Sequence, residues 1–193
     1  MKLEIAYYGN PVLRRPGAAV TEFDESLREL AAAMMETMRK HDGVGLAAHQ
    51  VGRALQLYVV DVRPAQSRPS VMEIDGRQVR PEDRMPLVLI NSRVKPLGPP
   101  ETGVEGCLSF PEIYADIARP ARVEVEAADA EGRSIRFRAG GLLSRAIQHE
   151  YDHTRGILFI DRMDSETKEE LRPRLEALRR RTAEELKKRE QPA

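Results

Sequence analysis

One stretch, SRAIQHEYDHTRGILF from Ser144 to Phe159, restricts more than any other how this chain can fold. Leu142 to Thr154 follows a helical period, and Gly156 is placed to stop the helix before the apolar run Ile157 to Ile160. On that helix His149 and His153 stand one turn apart and project from the side that also holds Leu142 and Ala146. A helix with two imidazoles on its apolar stripe belongs inside a domain rather than on its surface. With Glu150 the histidines read H-E-x-x-H. Both rings can grip one ion, and the carboxylate can reach a water beside it as general base.

At 193 residues the chain is long enough for one ordinary domain with a real core, and too short for two large ones. Basic and acidic residues balance at 31 each, so no whole-chain bias points to nucleic acid or to acidic membranes. No stretch has the length and apolarity of a membrane span, and the N-terminal MKLEIAYYGNPVLRRPG lacks a signal-peptide core. The expectation is a cytoplasmic protein with no membrane partner and no specific nucleic-acid site. Cys107 is the only cysteine, so no intramolecular disulfide can form.

Thr21 to His41 reads as a helix with Leu27, Leu30, Ala31, Met34 and Met38 on one face. Asp24 or Thr21 can cap it, and Gly43 can end it. Leu55 to Val62 and Pro86 to Asn91 read as strands, with a polar excursion from Arg63 to Met85 between them. Asp75-Gly76 can turn a small hairpin inside that excursion. Arg122 to Ala130 and Ser134 to Ala139 alternate apolar with charged residues around Glu131-Gly132, as a hairpin with one wet face does. Beyond Ser165, Leu171, Leu175, Leu178 and Leu186 form a narrow seam by which a charged, solvated helix is expected to pack on the domain, Pro173 being expected to interrupt or bend it. The class is α+β: antiparallel sheets packed around a central helix carrying H-E-x-x-H, with a C-terminal helix. Residues 1–164 are expected to be the catalytic domain and 165–193 a charged helix and tail.

A catalytic site of this kind needs a third protein ligand. In H-E-x-x-H-x-x-G-x-x-H proteases it follows the glycine; Gly156 fits, but Phe159 stands where the histidine would have to be. Glu166, Glu169 or Glu170 could serve as in thermolysin-like sites, yet SETKEEL looks exposed. Cys107 remains, in TGVEGCLSFPE; a thiolate binds Zn²⁺ or Fe²⁺ well, and Cys with His₂ leaves a position open for water. A third stretch, GVGLAAHQVG from Gly43 to Gly52, has glycines that let the backbone run against a substrate and a Gln50 amide that could donate to an oxyanion. Equally, it reads as a tight helix-to-strand connection. His41 reads as a helix-end cation, and His49 has no assigned role.

GVGLAAHQ (Gly43 to Gln50), EGCLS (Glu105 to Ser109) and QHEYDH (Gln148 to His153) together resemble the peptide deformylase motifs G-x-G-L-A-A-x-Q, E-G-C-L-S and Q-H-E-x-D-H, in the family's order. YGNPVLRR, AGGLLSRAIQ and GILFIDR add to the likeness, which spans roughly the first 164 residues. The resemblance implies removal of the formyl group from the N-terminal methionine of nascent polypeptides. It implies Cys107, His149 and His153 as ligands of one divalent ion, commonly Fe²⁺ with Zn²⁺ and others able to substitute. Glu150 would be the general acid/base, with the Gln50 amide and Leu108 N–H stabilising the oxyanion. The peptide would lie against Val44, Gly45 and Gly106, its methionine near Val44, Ala146 and His149. His49 departs from a frequent proline, Thr154 from a common leucine, and the 63–85 excursion is longer than in compact members. The alternatives are an H-E-x-x-H metallopeptidase and a catalytically silent peptide-binding relative. The C-terminal helix is a candidate for docking on the ribosome.

Overall fold

Period-two alternation puts Val123, Val125 and Ala127 on one face of a strand, and all three are buried while Glu126 faces water. In the structure, a computed structural model that describes residues 3–190, they belong to β6 (Phe110–Ala128). β6 pairs with β7 (Ser134–Gly140) from Arg122↔Gly140 to Ala128↔Ser134. The remaining strands are β1 (Gly45–Ala47), β2 (Leu57–Val60), β3 (Ser70–Ile74), β4 (Arg77–Val79) and β5 (Leu87–Cys107). All pairings are antiparallel, and the seven strands run in the order β1-β2-β5-β6-β7-β3-β4.

β5 extends the strand expected at Pro86 to Asn91 through a Pro- and Gly-rich segment as far as Cys107. Register shifts at Ile90/Arg93 and Leu97/Pro100 absorb the irregular residues. Beyond Ile90, β5 is hydrogen-bonded only to β6, so Pro96, Pro99 and Pro100 need no second partner. The 63–85 excursion forms the expected hairpin, Asp75 and Gly76 both taking positive φ (51° and 74°). It is less exposed than its composition suggests: β3 pairs with β7, and Met72 and Met85 enter the core.

Helix α1 (Glu25–Lys40) begins where Asp24 accepts the Leu27 N–H at 2.9 Å. Its stop lies one residue before the glycine expected to provide it. Asp42 takes the left-handed conformation (φ 53°), and the Gly43 N–H returns to Met38 O at 3.0 Å. Helix α2 (Gly141–Thr154) packs its face against the sheet in a core with Tyr58, Val60, Leu89, Val125 and Phe137, and Gly156 (φ 72°) follows its end. Helix α3 runs unbroken from Ser165 to Glu190 with Pro173 inside it, where an interruption or a bend was expected, so the interruption does not occur. Proline in a helix interior costs about 3 kcal/mol. Leu175 and Leu178, buried on either side of the next turn against Phe110, Ile113 and Phe159, offset that cost. Leu186 is only half-buried, and residues 191–193 of the expected tail lie outside the described residues. No helix among the described residues is long and apolar enough to cross a membrane.

Candidate active site

Helical geometry delivers His149 and His153 to one side of α2, and β5 ends opposite them at Cys107. The Cys107 sulfur and one nitrogen of each imidazole lie within 4.8 Å of one another, with Sγ 3.4 Å from His153 Nε2. Ligands about 2.0–2.3 Å from a tetrahedral ion stand roughly 3.3–3.8 Å apart, so the set closes on a divalent ion with small adjustments. The other ring nitrogen of His149, Nδ1, is 2.9 Å from Glu105 Oε2, which turns Nε2 toward the sulfur. His153 Nδ1 is buried with no hydrogen-bond partner among the described residues. The donors are chemically suited to the ion: a thiolate and two imidazoles.

Glu150, 4 % exposed, follows the first ligand, and its Oε2 has no hydrogen-bond partner among the described residues. Burial pushes its carboxyl up to about 7, against the pull of the neighbouring His149 charge. Gly45 on β1 makes room for it, since a Cβ there would stand 2.8 Å from Glu150 Cγ. Gln50 is held from the other side: its Oε1 accepts the Ala47 N–H at 2.8 Å, which aims Nε2 at Cys107 Sγ, 3.4 Å away. The amide therefore presents its donor to the site. Val44, Gly45, Gln50, Gly106, Cys107, Leu108, Ala146, His149 and Glu150 all line one cleft of about 540 Å³. Gly106 is closed over by the Tyr114 ring, which a Cβ would meet at 2.7 Å. Every residue expected at the site is thus brought to it, except that His153 lies behind the cleft lining.

Two spare residues find structural places. His49 is fully buried, with Nε2 2.9 Å from Arg15 O, and burial pushes its pKa down. His41 lines the cleft mouth at the end of α1. Phe159, which stood where a third histidine was sought, packs its ring 5.9 Å from that of His149.

The chain matches the polypeptide deformylase family over residues 2–169. It belongs to that family. A peptide deformylase from Methylacidiphilum infernorum is 45% identical over 180 residues, spanning 93% of this chain and 94% of the relative. Among solved structures, an Arabidopsis thaliana peptide deformylase in complex with an inhibitor superposes with TM-score 0.80 at 38% identity, covering 95% of this chain and 93% of that one. A peptide deformylase from Synechococcus elongatus in complex with actinonin gives TM-score 0.75 at 41% identity, covering 89% and 87%. The chain is accordingly a hydrolase acting on formylmethionyl peptides, of a metal-dependent family, and the metallopeptidase alternative falls.

What the motifs did not reveal is the charged frame behind the ligands. Arg119 donates to Glu105 at 2.5 and 2.9 Å and to Asp152 at 2.8 Å, all three side chains being buried. Arg145 adds a bond to Glu105 at 2.9 Å, and Arg162 binds Asp152 at 2.6 Å through two nitrogens. Burial alone would raise the Glu105 carboxyl, but His149 and Arg119 hold it well below the usual range. Glu105 therefore remains an acceptor that keeps the His149 ring in place. A signal for Arg119 existed in the sequence. Ile113, Ala115, Ile117 and Arg119 share the inward face of β6, and a charge at such a position requires acidic partners.

Proposed function

We propose that the protein removes the formyl group from N-formylmethionyl nascent polypeptides, with Cys107, His149 and His153 holding one divalent ion. What supports this most is the one place where the Cys107 thiol and the two imidazoles meet a Glu150 carboxyl whose Oε2 is unpartnered among the described residues and the Gln50 amide donor. When bound, the ion supplies Lewis acidity toward a water and toward the formyl carbonyl. Glu150 accepts the proton of the attacking water as its oxygen bonds to the formyl carbon. The Gln50 Nε2–H and the Leu108 backbone N–H donate to the oxygen on which negative charge develops, each such donor contributing about 2.7–4 kcal/mol to the transition state. Glu150 then hands its proton to the nitrogen as the C–N bond breaks, freeing formate and the amine. A carboxyl raised to about 7 is suited to both transfers near neutral pH. Val44, Gly45 and Gly106 would support the peptide backbone, and Val44, Ala146 and His149 the methionine side chain.

Fe²⁺ is the proposed ion in the cell, Zn²⁺ or another divalent ion being able to replace it, since a His₂Cys set accepts several. The catalytic unit is proposed to end near Asp164. The outer face of α3, with exposed Arg172, Arg180, Arg181, Lys187 and Lys188, would dock on the ribosome in the cytoplasm, where formylated chains emerge. Formate release from formyl-Met-Ala-Ser, measured on metal-loaded protein purified without oxygen, tests the reading. Glu150→Gln is expected to lower kcat by about 10²–10⁴. Equal rates in wild type and variant, or no formate from wild type, would sink it.

A further inference from the structure

The catalytic cleft does not end at its mouth. It continues into a second hollow of about 240 Å³ between residues 67–69 and 101–103, and Arg68, Leu142 and Arg145 line both. The two arginines at this junction differ in what they are free to do. Arg145 is committed: it donates to Glu105, to Ile117 O at 2.7 Å and to Glu101 O at 2.7 Å. Arg68 is exposed, and among the described residues its guanidinium has no carboxylate within ion-pairing distance.

Arg68 is nevertheless not on a loose loop. Its N–H bonds to Ala65 O at 3.0 Å, and the next two residues cap the catalytic helix, for which Gly140 supplies no side-chain cap. Pro69 O accepts the Leu142 N–H at 2.9 Å and Ser70 Oγ accepts the Leu143 N–H at 3.1 Å. Gly141, at φ 64°, permits this approach, because a Cβ there would run into Pro69 O. The excursion is thus fastened to α2, and Arg68 is held at the junction of the two hollows.

With the formyl end at Glu150 and the methionine beside Ala146, the rest of the peptide must leave through the open mouth, advancing about 3.3 Å per extended residue. We propose that Arg68 is a specificity residue that pairs with an acidic side chain of the peptide beyond its second residue. This rests on the deformylase reading of the cleft. Among the described residues Glu101 is the single carboxylate lining the second hollow, against three arginines, and of these Arg119 and Arg145 are paired with carboxylates while Arg68 is left to meet a substrate carboxylate.

The test compares kcat/KM for formyl-Met-Ala-Glu-Glu-amide and formyl-Met-Ala-Gln-Gln-amide, the blocked C-terminus removing its charge. An exposed ion pair contributes up to about 1 kcal/mol, so wild type should favour the acidic peptide by up to ~5-fold, chiefly in KM. Arg68→Gln should bring the ratio near one, Arg68→Glu should invert it, and 0.5 M NaCl should flatten it in wild type. Thermal melts of both variants check that they are folded. A wild-type ratio of one, or a ratio unchanged in Arg68→Glu, overturns the proposal while leaving deformylation intact. No formate from either peptide or from formyl-Met-Ala-Ser would instead overturn the deformylase reading, and this inference with it.

Discussion

Gly45 illustrates how little space separates the reacting groups. Its backbone lies against the Glu150 side chain, and an added Cβ would stand 2.8 Å from Cγ and 2.9 Å from Cδ, closer than atoms pack. Gly45→Ala is therefore expected to push the carboxyl aside while leaving the three ligands in place. A displacement of about 1 Å at a reacting group costs on the order of 100-fold in rate. Formate-release kinetics together with bound metal per chain decide the matter: the rate should fall and the metal content should not. A fall in metal content would mean that the effect runs through the ligands. Arg119 shows the same sensitivity for charge. It is the one cation bonded to both Glu105 and Asp152, and its side chain is 3 % exposed. Arg119→Met would leave two buried carboxylates short of a partner, a change worth about 3–5 kcal/mol of stability. Urea unfolding measures it, and a loss under 1 kcal/mol would show that Arg145 and Arg162 suffice.

Among the elements, α3 joins a charged surface to a buried seam. The helix is charged on most of its surface, but its leucine seam packs on the domain as its spacing suggests, Leu175 and Leu178 being buried in one cluster with Phe110, Ile113 and Phe159. Phe159 in turn packs 5.1 Å from Phe110 and 5.9 Å from the His149 ring, so α3 buttresses the wall behind the site. Leu175→Ala is expected to cost about 2–5 kcal/mol and to lower Tm by at least ~4 °C. Differential scanning calorimetry with no shift would show that α3 contributes only a surface. Deletion after Asp164 would expose this cluster, so reduced activity in such a truncation would report lost packing as well as any lost docking. The β3–β4 excursion makes the complementary point. Its polar sequence reads as surface, but Pro69 and Ser70 bond to the start of α2.

Across the whole molecule, Arg14 and Asp161 tie the N-terminal segment to the turn that follows α2. Arg14 donates to Asp161, with NH2 to Oδ1 at 3.0 Å, and Asp161 Oδ2 accepts the Leu158 N–H at 2.9 Å. Burial works to raise the Asp161 carboxyl, but Arg14 and the Leu158 N–H outweigh it and hold it below its ordinary value. A depressed carboxyl stabilises the fold above the unfolded pKa of about 3.9, and that contribution is lost as pH falls through the folded value. Asp161→Asn should therefore destabilise most at pH 7, the gap to wild type closing below about pH 4 in urea midpoints. A gap constant from pH 7 to pH 3 would contradict the assignment. Whatever depends on local period could be read from the order of residues alone. His149, Glu150 and His153 share one helix because four residues make about one turn, and Val123, Val125, Ala127 and Phe137 face the core because strands alternate. What meets them depends on long-range packing. Cys107 reaches the histidines because β5 stays paired with β6, across several register shifts, through a segment rich in proline and glycine. Glu105, Arg119 and Asp152 form one network although they are contributed by two strands and a helix. α3 stays unbroken through Pro173 because packing outweighs one missing hydrogen bond. Such contacts join residues far apart in the chain, and their energy is gained only once the whole sheet and its helices have closed around them.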